Sequence, residues 1–208
     1  MSFKGFTQAD FETFHIDGLD ERMAAIRERI QPKFKAIGDE LADYLTEKAG
    51  HDMYIHIAKH ARRTVNPPND TWMAFSYNKR GYKKHPHFQI GLWDDRVFVW
   101  LAYIYELPNK QAYARTFLEY EETLADIIPQ DYDVSMNHMK KSNEKWADIH
   151  LREKLERFLK VKSAEFLVGK QFAMGDPILQ DGEAFINEVK AIYDTLIPVY
   201  QLSLGEKK

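Results

Sequence analysis

"HFQIGLWDDRVFVWLAYIYEL", residues 87–107, decides the fold. Two runs of alternating residues flank a pair of aspartates, the pattern of two antiparallel strands joined by a two-residue turn. With Asp94 and Asp95 in the turn, Trp93 faces Arg96, Leu92 faces Val97, Gly91 faces Phe98, Ile90 faces Val99, Gln89 faces Trp100 and His87 faces Ala102. Paired residues share a side of the sheet. One side then carries Phe88, Ile90, Leu92, Val97, Val99 and Leu101, all apolar. The other carries His87, Gln89, Gly91, Phe98 and Trp100, rings with polar groups set among them. Gly91 opposite Phe98 leaves room for that ring or for a ligand.

Strand signals extend outward from this hairpin. "TWMAFSYN" and the alternating "MYIHIAKHARR" read as strands before it, separated by the loop "VNPPND". "AEFLVGKQF" reads as a strand after it, and "DYDVSMNHM" as a short one. Helical spacing dominates the two ends. Thr7 and Asp10 form a capping box, Asp17 opens a second helix, and Met23, Ile26, Ile30, Phe34, Ile37 and Leu41 follow one helical face up to Gly50. Pro32 inside that run predicts a kink or a break. A helix follows Pro108, Ser142 caps "NEKWADIHLREKLERFLK", and a last helix follows Asp181. With no linker in view, the expectation is one α+β domain over residues 1–208, a mainly antiparallel sheet packed with N-terminal and C-terminal helices.

Parity also gathers a candidate site. Tyr54, His56, Ala58, His60 and Arg62 alternate together, as do Trp72, Ala74, Ser76 and Asn78. If both sets join the Trp100 side, the face collects His56, His60, Arg62, Ser76, His87, Gln89 and Trp100. The loop with Lys79, Arg80, Lys83 and Lys84 would rim it with positive charge. Rings to stack on and a basic rim suit a small anionic or nucleotide-like ligand. The plain alternative is a helix over the aromatics and a solvated lysine loop.

Other chemistries fit less well. His85 and His87 lie two apart, about 6 to 7 Å along a strand, but no spacing fixes a third metal ligand. His56 and His60 would lie about 13 Å apart on a strand and share no ion. No metal is assigned, although a metal-assisted hydrolase using these histidines stays open as an alternative. Phosphoesterases with paired histidine motifs place a hydroxyl residue two after each His; here Ala58 and Gln89 stand there. There is no G-x-G-x-x-G, no P-loop and no G-x-S-x-G, so no cofactor is expected.

Composition bounds the partners. The 208 residues are 44% hydrophobic and 29% charged, with formal net charge -3. A dedicated DNA-binding surface shows a basic excess, and this chain has none, so a protein- or nucleic-acid-interaction module is a further alternative only. Cysteine is absent, which removes disulfides and thiolate chemistry. No apolar run is long enough to span a bilayer and the N-terminal stretch lacks a signal core, so the expected setting is cytoplasmic, without a membrane partner. Nothing in the sequence sets the oligomeric state.

Three blocks carry a resemblance: "GFTQADFETFHIDGLDERM", "HIAKHARRTVNPPNDTWMAFSYNKRGYKKHPHFQIGLW" and "EKLERFLKVKSAEFLVGKQF". Together they resemble the YktB-like family of uncharacterised bacterial proteins over nearly the whole chain. The resemblance implies a compact single-domain α+β protein and implies no activity.

Overall fold

The computed structural model describes residues 2–205. The hairpin forms as the sequence predicts. β3 (His87–Leu92) and β4 (Arg96–Tyr103) pair with His87 opposite Ala102, Gln89 opposite Trp100 and Gly91 opposite Phe98. Phe98 takes the space at Gly91, where an added Cβ would lie 2.2 Å from Phe98 Cζ.

β1 (Tyr54–Ile57) and β2 (Thr71–Ser76) extend the sheet on one side of the hairpin. β5 (Asp133–Ser135), β6 (Glu144–Lys145) and β7 (Phe166–Ala173) extend it on the other. The seven strands run in the order β1-β2-β3-β4-β7-β5-β6, antiparallel throughout. The helices are α1 (Gln8–Glu12), α2 (Leu19–Ala25), α3 (Gln31–Ala49), α4 (Lys110–Glu119), α5 (Glu121–Ile127), α6 (Leu151–Lys160) and α7 (Gly182–Ser203). The fold is α+β.

The apolar side of the hairpin is the helix side. Phe88, Ile90, Leu92, Val97, Val99 and Leu101 are fully buried, in one cluster with Phe34, Ile37, Leu41 and Leu45 of α3 and Phe185, Val189, Tyr193 and Leu196 of α7. Each such side chain contributes about 1.5–3 kcal/mol, so this layer carries most of the stability.

Several boundaries depart from the sequence reading, each for a local reason. β1 stops at Ile57, although Ala58 N still donates to Trp72 O at 2.9 Å. The chain turns instead, with Arg63 N donating to His60 O and His60 at φ 48. His60 and Arg62 are therefore loop residues. The helix expected from Ser142 begins only at Leu151, since Val134 draws Glu144 into an edge strand and Trp146 N donates to Tyr132 O at 2.7 Å. Gly18, at φ 85, rather than Asp17, precedes α2. Pro32 causes no break. A π-helical turn at Ile26–Ile30 precedes it, with Gln31 N bonded to Ile26 O, and Pro32 falls in the first turn of α3, where its missing donor is harmless. Gly50, left-handed at φ 79, ends α3 as expected.

Candidate functional site

The second side of the sheet is covered by loops. Residues 58–70, 77–86 and 136–143 lie over Trp72, Trp93, Phe98, Trp100, Ala102, Ile104 and Leu167, a separate apolar cluster. Between loops and sheet runs a narrow cleft. Its walls are the rings of Trp72, Trp93, Phe98 and Trp100; its polar groups are Asp70, Gln89, Ser135, His138, Lys140 and Gln171. Phe98 and Trp100 stack with centroids 6.4 Å apart at 24°. The cleft has about 10 Å³ of accessible volume, room for about one water molecule.

Asp70 is the unusual member. It sits two residues before Trp72, on the same parity, and is only 6% exposed. Among the described residues no side chain donates to its carboxylate, which accepts from its own backbone N–H. Burial raises its pKa to about 6, against the pull of His138, Arg63 and Lys83. Nearby, Glu165 is buried and accepts from His138 Nδ1 at 2.7 Å, His138 N at 2.6 Å and Tyr105 N at 3.2 Å. These bonds fasten loop 136–143 to the start of β7. Tyr105 stacks on the His138 ring and is half exposed.

Under the cleft floor lies a neutral histidine. His87 is fully buried, and desolvation lowers its pKa to about 3. Its Nδ1 lies 2.8 Å from His85 O, and its Nε2 lies 2.8 Å from Gln89 Nε2. Tyr82 covers His56 and His87 with its ring and accepts from Trp72 Nε1 at 2.7 Å.

Of the residues singled out from sequence, Gln89 and Trp100 line the cleft itself. His87 lies beneath it. His60 packs edge-on against Trp72 and meets Thr71 Oγ1 at 3.1 Å; burial lowers its pKa to about 4. His56 donates to Asn78 O at 2.9 Å, with its pKa lowered by burial. Ser76 is fully buried in the row of Tyr54 and His87. The basic residues separate. Lys83 lies over Trp72 at 5.4 Å and 3.5 Å from Glu106, whereas Lys79 lies over Tyr54 at 5.1 Å. Arg62, Arg80 and Lys84 are exposed. Sequence reasoning missed Asp70, His138, Lys140 and Glu165. Extending the parity of Trp72 back by one step finds Asp70, and that of Leu167 finds Glu165. His138 and Lys140 sit in a loop placed only by β5–β7 pairing. Among the described residues no group of three or more His, Cys, Asp or Glu side chains is arranged to hold a metal ion, and no helix is long and apolar enough to cross a membrane.

A family model described as a domain of unknown function, DUF1054, matches residues 6–200. A UPF0637 protein of Shouchella clausii is 55% identical over 204 residues, covering 98% of this chain and 97% of the relative. One from Oceanobacillus iheyensis is 53% identical over 203 residues, 98% of each chain. One from Listeria welshimeri is 48% identical over 204 residues, 98% of this chain and all of the relative. The chain belongs to this bacterial DUF1054/UPF0637 family.

Proposed function

We propose that this member of the DUF1054 family binds a small flat ligand with an acidic substituent, nucleotide-like in its parts, in the tryptophan-walled cleft. The observation that carries the reading is Asp70, a buried carboxylate without a side-chain partner in a slot of aromatic rings. Buried carboxylates with strongly shifted pKa values gather at functional sites. The rings supply stacking surface. Lys140 at the cleft and Lys83 over Trp72 supply charge for the acidic group. A ring needs more space than one water, and the cover is made of loops, which yield at lower cost than packed helices. The test is a thermal-shift panel of nucleosides, nucleotides and sugar phosphates. A ligand at 100 times its Kd adds about 2.7 kcal/mol. At least one member should shift the parent and not Trp72→Ala; a silent panel, or a shift that survives the substitution, sinks the reading.

A second reading, acid–base hydrolysis, rests on the buried Glu165 that holds His138 by Nδ1 and leaves Nε2 for a reacting water, with Asp70 in the same cleft as the acid. It expects turnover of p-nitrophenyl acetate or p-nitrophenyl phosphate that disappears in both His138→Gln and Asp70→Asn. No turnover, or turnover indifferent to both changes, rules it out.

A further inference from the structure

The hydrogen-bond directions around Gln89 can be worked out from chemistry alone. His85 O is a carbonyl and only accepts, so the proton of His87 rests on Nδ1, 2.8 Å away. His87 is buried and neutral, so its Nε2 carries a lone pair and no hydrogen. Gln89 Nε2, 2.8 Å from that lone pair, must donate to it. The opposite amide orientation would set an oxygen against a nitrogen lone pair. Gln89 is thereby fixed with its nitrogen toward His87, and Oε1 is left as an acceptor with no donor among the described residues. Gln89 is 3% exposed and lines the cleft.

Asp70 is the second such acceptor: buried, lining the same cleft, and without a side-chain donor. Among the described residues several neighbouring polar atoms are already engaged, although His138 Nε2 and the Gln171 amide nitrogen are not. Ser135 Oγ has one hydrogen and two carbonyls within reach, Asn137 O at 3.2 Å and Ser142 O at 3.1 Å. Gln171 Oε1 accepts from Arg96 Nη1 at 2.9 Å. His138 Nδ1 is held by Glu165. The floor thus presents the Gln89 Oε1 acceptor and the Asp70 carboxylate, which among the described residues only its own backbone N–H engages, between aromatic walls, with Lys140 as the cation that lines the cleft beside them.

We propose that the cleft recognises its ligand by an N–H donor edge, an amidine-like arrangement of ring and exocyclic nitrogens on a flat heterocycle, read by Asp70 and Gln89. This rests on the cleft being a ligand site and names the class of ligand that it takes. It also divides the ligand. The ring's donor edge points inward to the two acceptors, and an acidic substituent belongs outward, at Lys140. A ligand whose ring edge offers only acceptors or a carboxylate would face two like groups in a desolvated slot, where each unmatched acceptor costs about 1–3 kcal/mol.

Three probes of one shape separate the possibilities: benzamidine, benzamide and benzoate, titrated against the full-length protein by tryptophan fluorescence and calorimetry at pH 7.5. The expected order of affinity is benzamidine, then benzamide, then benzoate, with at least a tenfold gap between the first and last. Asp70→Asn and Gln89→Met should each weaken benzamidine by about tenfold or more, as loss of a hydrogen bond to a charged or buried acceptor does. Lys35→Ala, exposed on α3 and outside the cleft, should leave it unchanged. Lowering the pH from 7.5 to 5 should weaken benzamidine, since protonation removes Asp70 as a full acceptor; His60, His138, Arg63, Lys83 and Lys140 are the other charged or titratable groups around it, and parallel titration of Asp70→Asn subtracts them. Benzoate binding as tightly as benzamidine, or benzamidine unaffected by both substitutions, overturns the donor-edge inference. Benzoate binding that matches or exceeds benzamidine and that Trp72→Ala abolishes would do so while leaving the cleft a ligand site. Failure of all three probes to bind overturns the donor-edge inference, and the nucleotide panel then decides separately whether the cleft binds anything.

Discussion

Asp70→Asn should make the protein more stable at neutral pH, although it removes a charge. Asp70 is 6% exposed and its carboxylate has no side-chain donor, so ionising it in the fold is unfavourable. Burial moves it from 3.8 to about 6. Because the folded value lies above the unfolded one, the folded state holds the proton more tightly. Its stabilising contribution is complete below about pH 4 and is lost as pH rises through about 6. A gap of about two pH units at about 1.4 kcal/mol each leaves the ionised side chain costing roughly 3 kcal/mol at pH 7. Asparagine keeps the shape without the charge and should recover up to that amount. For a chain of this length, roughly 2–4 °C per kcal/mol implies a melting temperature roughly 6–12 °C higher at pH 7.5. His60 and His87 fold neutral, with values near 4 and 3, so parent and variant both lose stability below about pH 6.5. The difference between the two proteins isolates Asp70. Urea unfolding of both from pH 7.5 to 5 should show that difference shrinking to about half by pH 5. A variant no more stable than the parent at pH 7.5, or a difference that ignores pH, would falsify the description of Asp70 as an isolated buried carboxylate.

Three further outcomes follow from single contacts. Lys110 is buried and donates to Val161 O, Lys162 O and Ala164 O at 2.6, 3.1 and 2.7 Å, so Lys110→Met should lower stability by about 3 kcal/mol or more, read as a reduced urea midpoint. Glu165→Gln keeps one acceptor oxygen for three donors and places an amide N–H against them; it should cost about 1–3 kcal/mol and speed hydrogen exchange at the His138 amide. Lys83→Ala with Lys84→Ala should change the melting temperature by less than the equivalent of about 1 kcal/mol, because exposed charges contribute little, and should weaken any acidic ligand that the thermal panel finds.

The hairpin was legible because period-two alternation and a two-residue turn fix both register and facing, and every pair from Trp93–Arg96 to His87–Ala102 is present. The α3 and α7 faces were legible for the same reason, periodicity against a core. What the sequence hid depends on long-range partners. Nothing local tells Glu144 to stop being helical; its pairing with Val134 does. Nothing in the alternation of residues 54–62 ends β1 at Ile57; the chain leaves the sheet at the turn through His60. The candidate site shows the same division. Gln89 and Trp100 lie on the hairpin and were found, while His138 and Lys140 reach the cleft only because β5 pairs with β7. Asp70 looked like one more polar residue of a proline loop, although its parity with Trp72 already placed it on the aromatic face.

The two sides of the sheet divide the work, and they meet at Gln89. From the helix side, Tyr193 on α7 donates its hydroxyl to Gln89 O at 3.0 Å, fastening the strand to the most deeply buried helix. From the loop side, His87 fixes the amide, and His85 O fixes His87. The acceptor on the cleft floor is therefore set by groups that are themselves buried, and little freedom remains to be lost when a ligand arrives. The cover is built differently. Loop 136–143 is tied down mainly through Glu165, and loop 58–70 turns through His60 in a left-handed conformation. A rigid floor beneath loosely tied loops separates the two halves of an affinity. Changes at Gln89, His87 or Asp70 act on how tightly a ligand is held once inside. Changes at Glu165 or in loop 58–70 act on how often the cleft opens, and so on association and release together, with a smaller effect on their ratio.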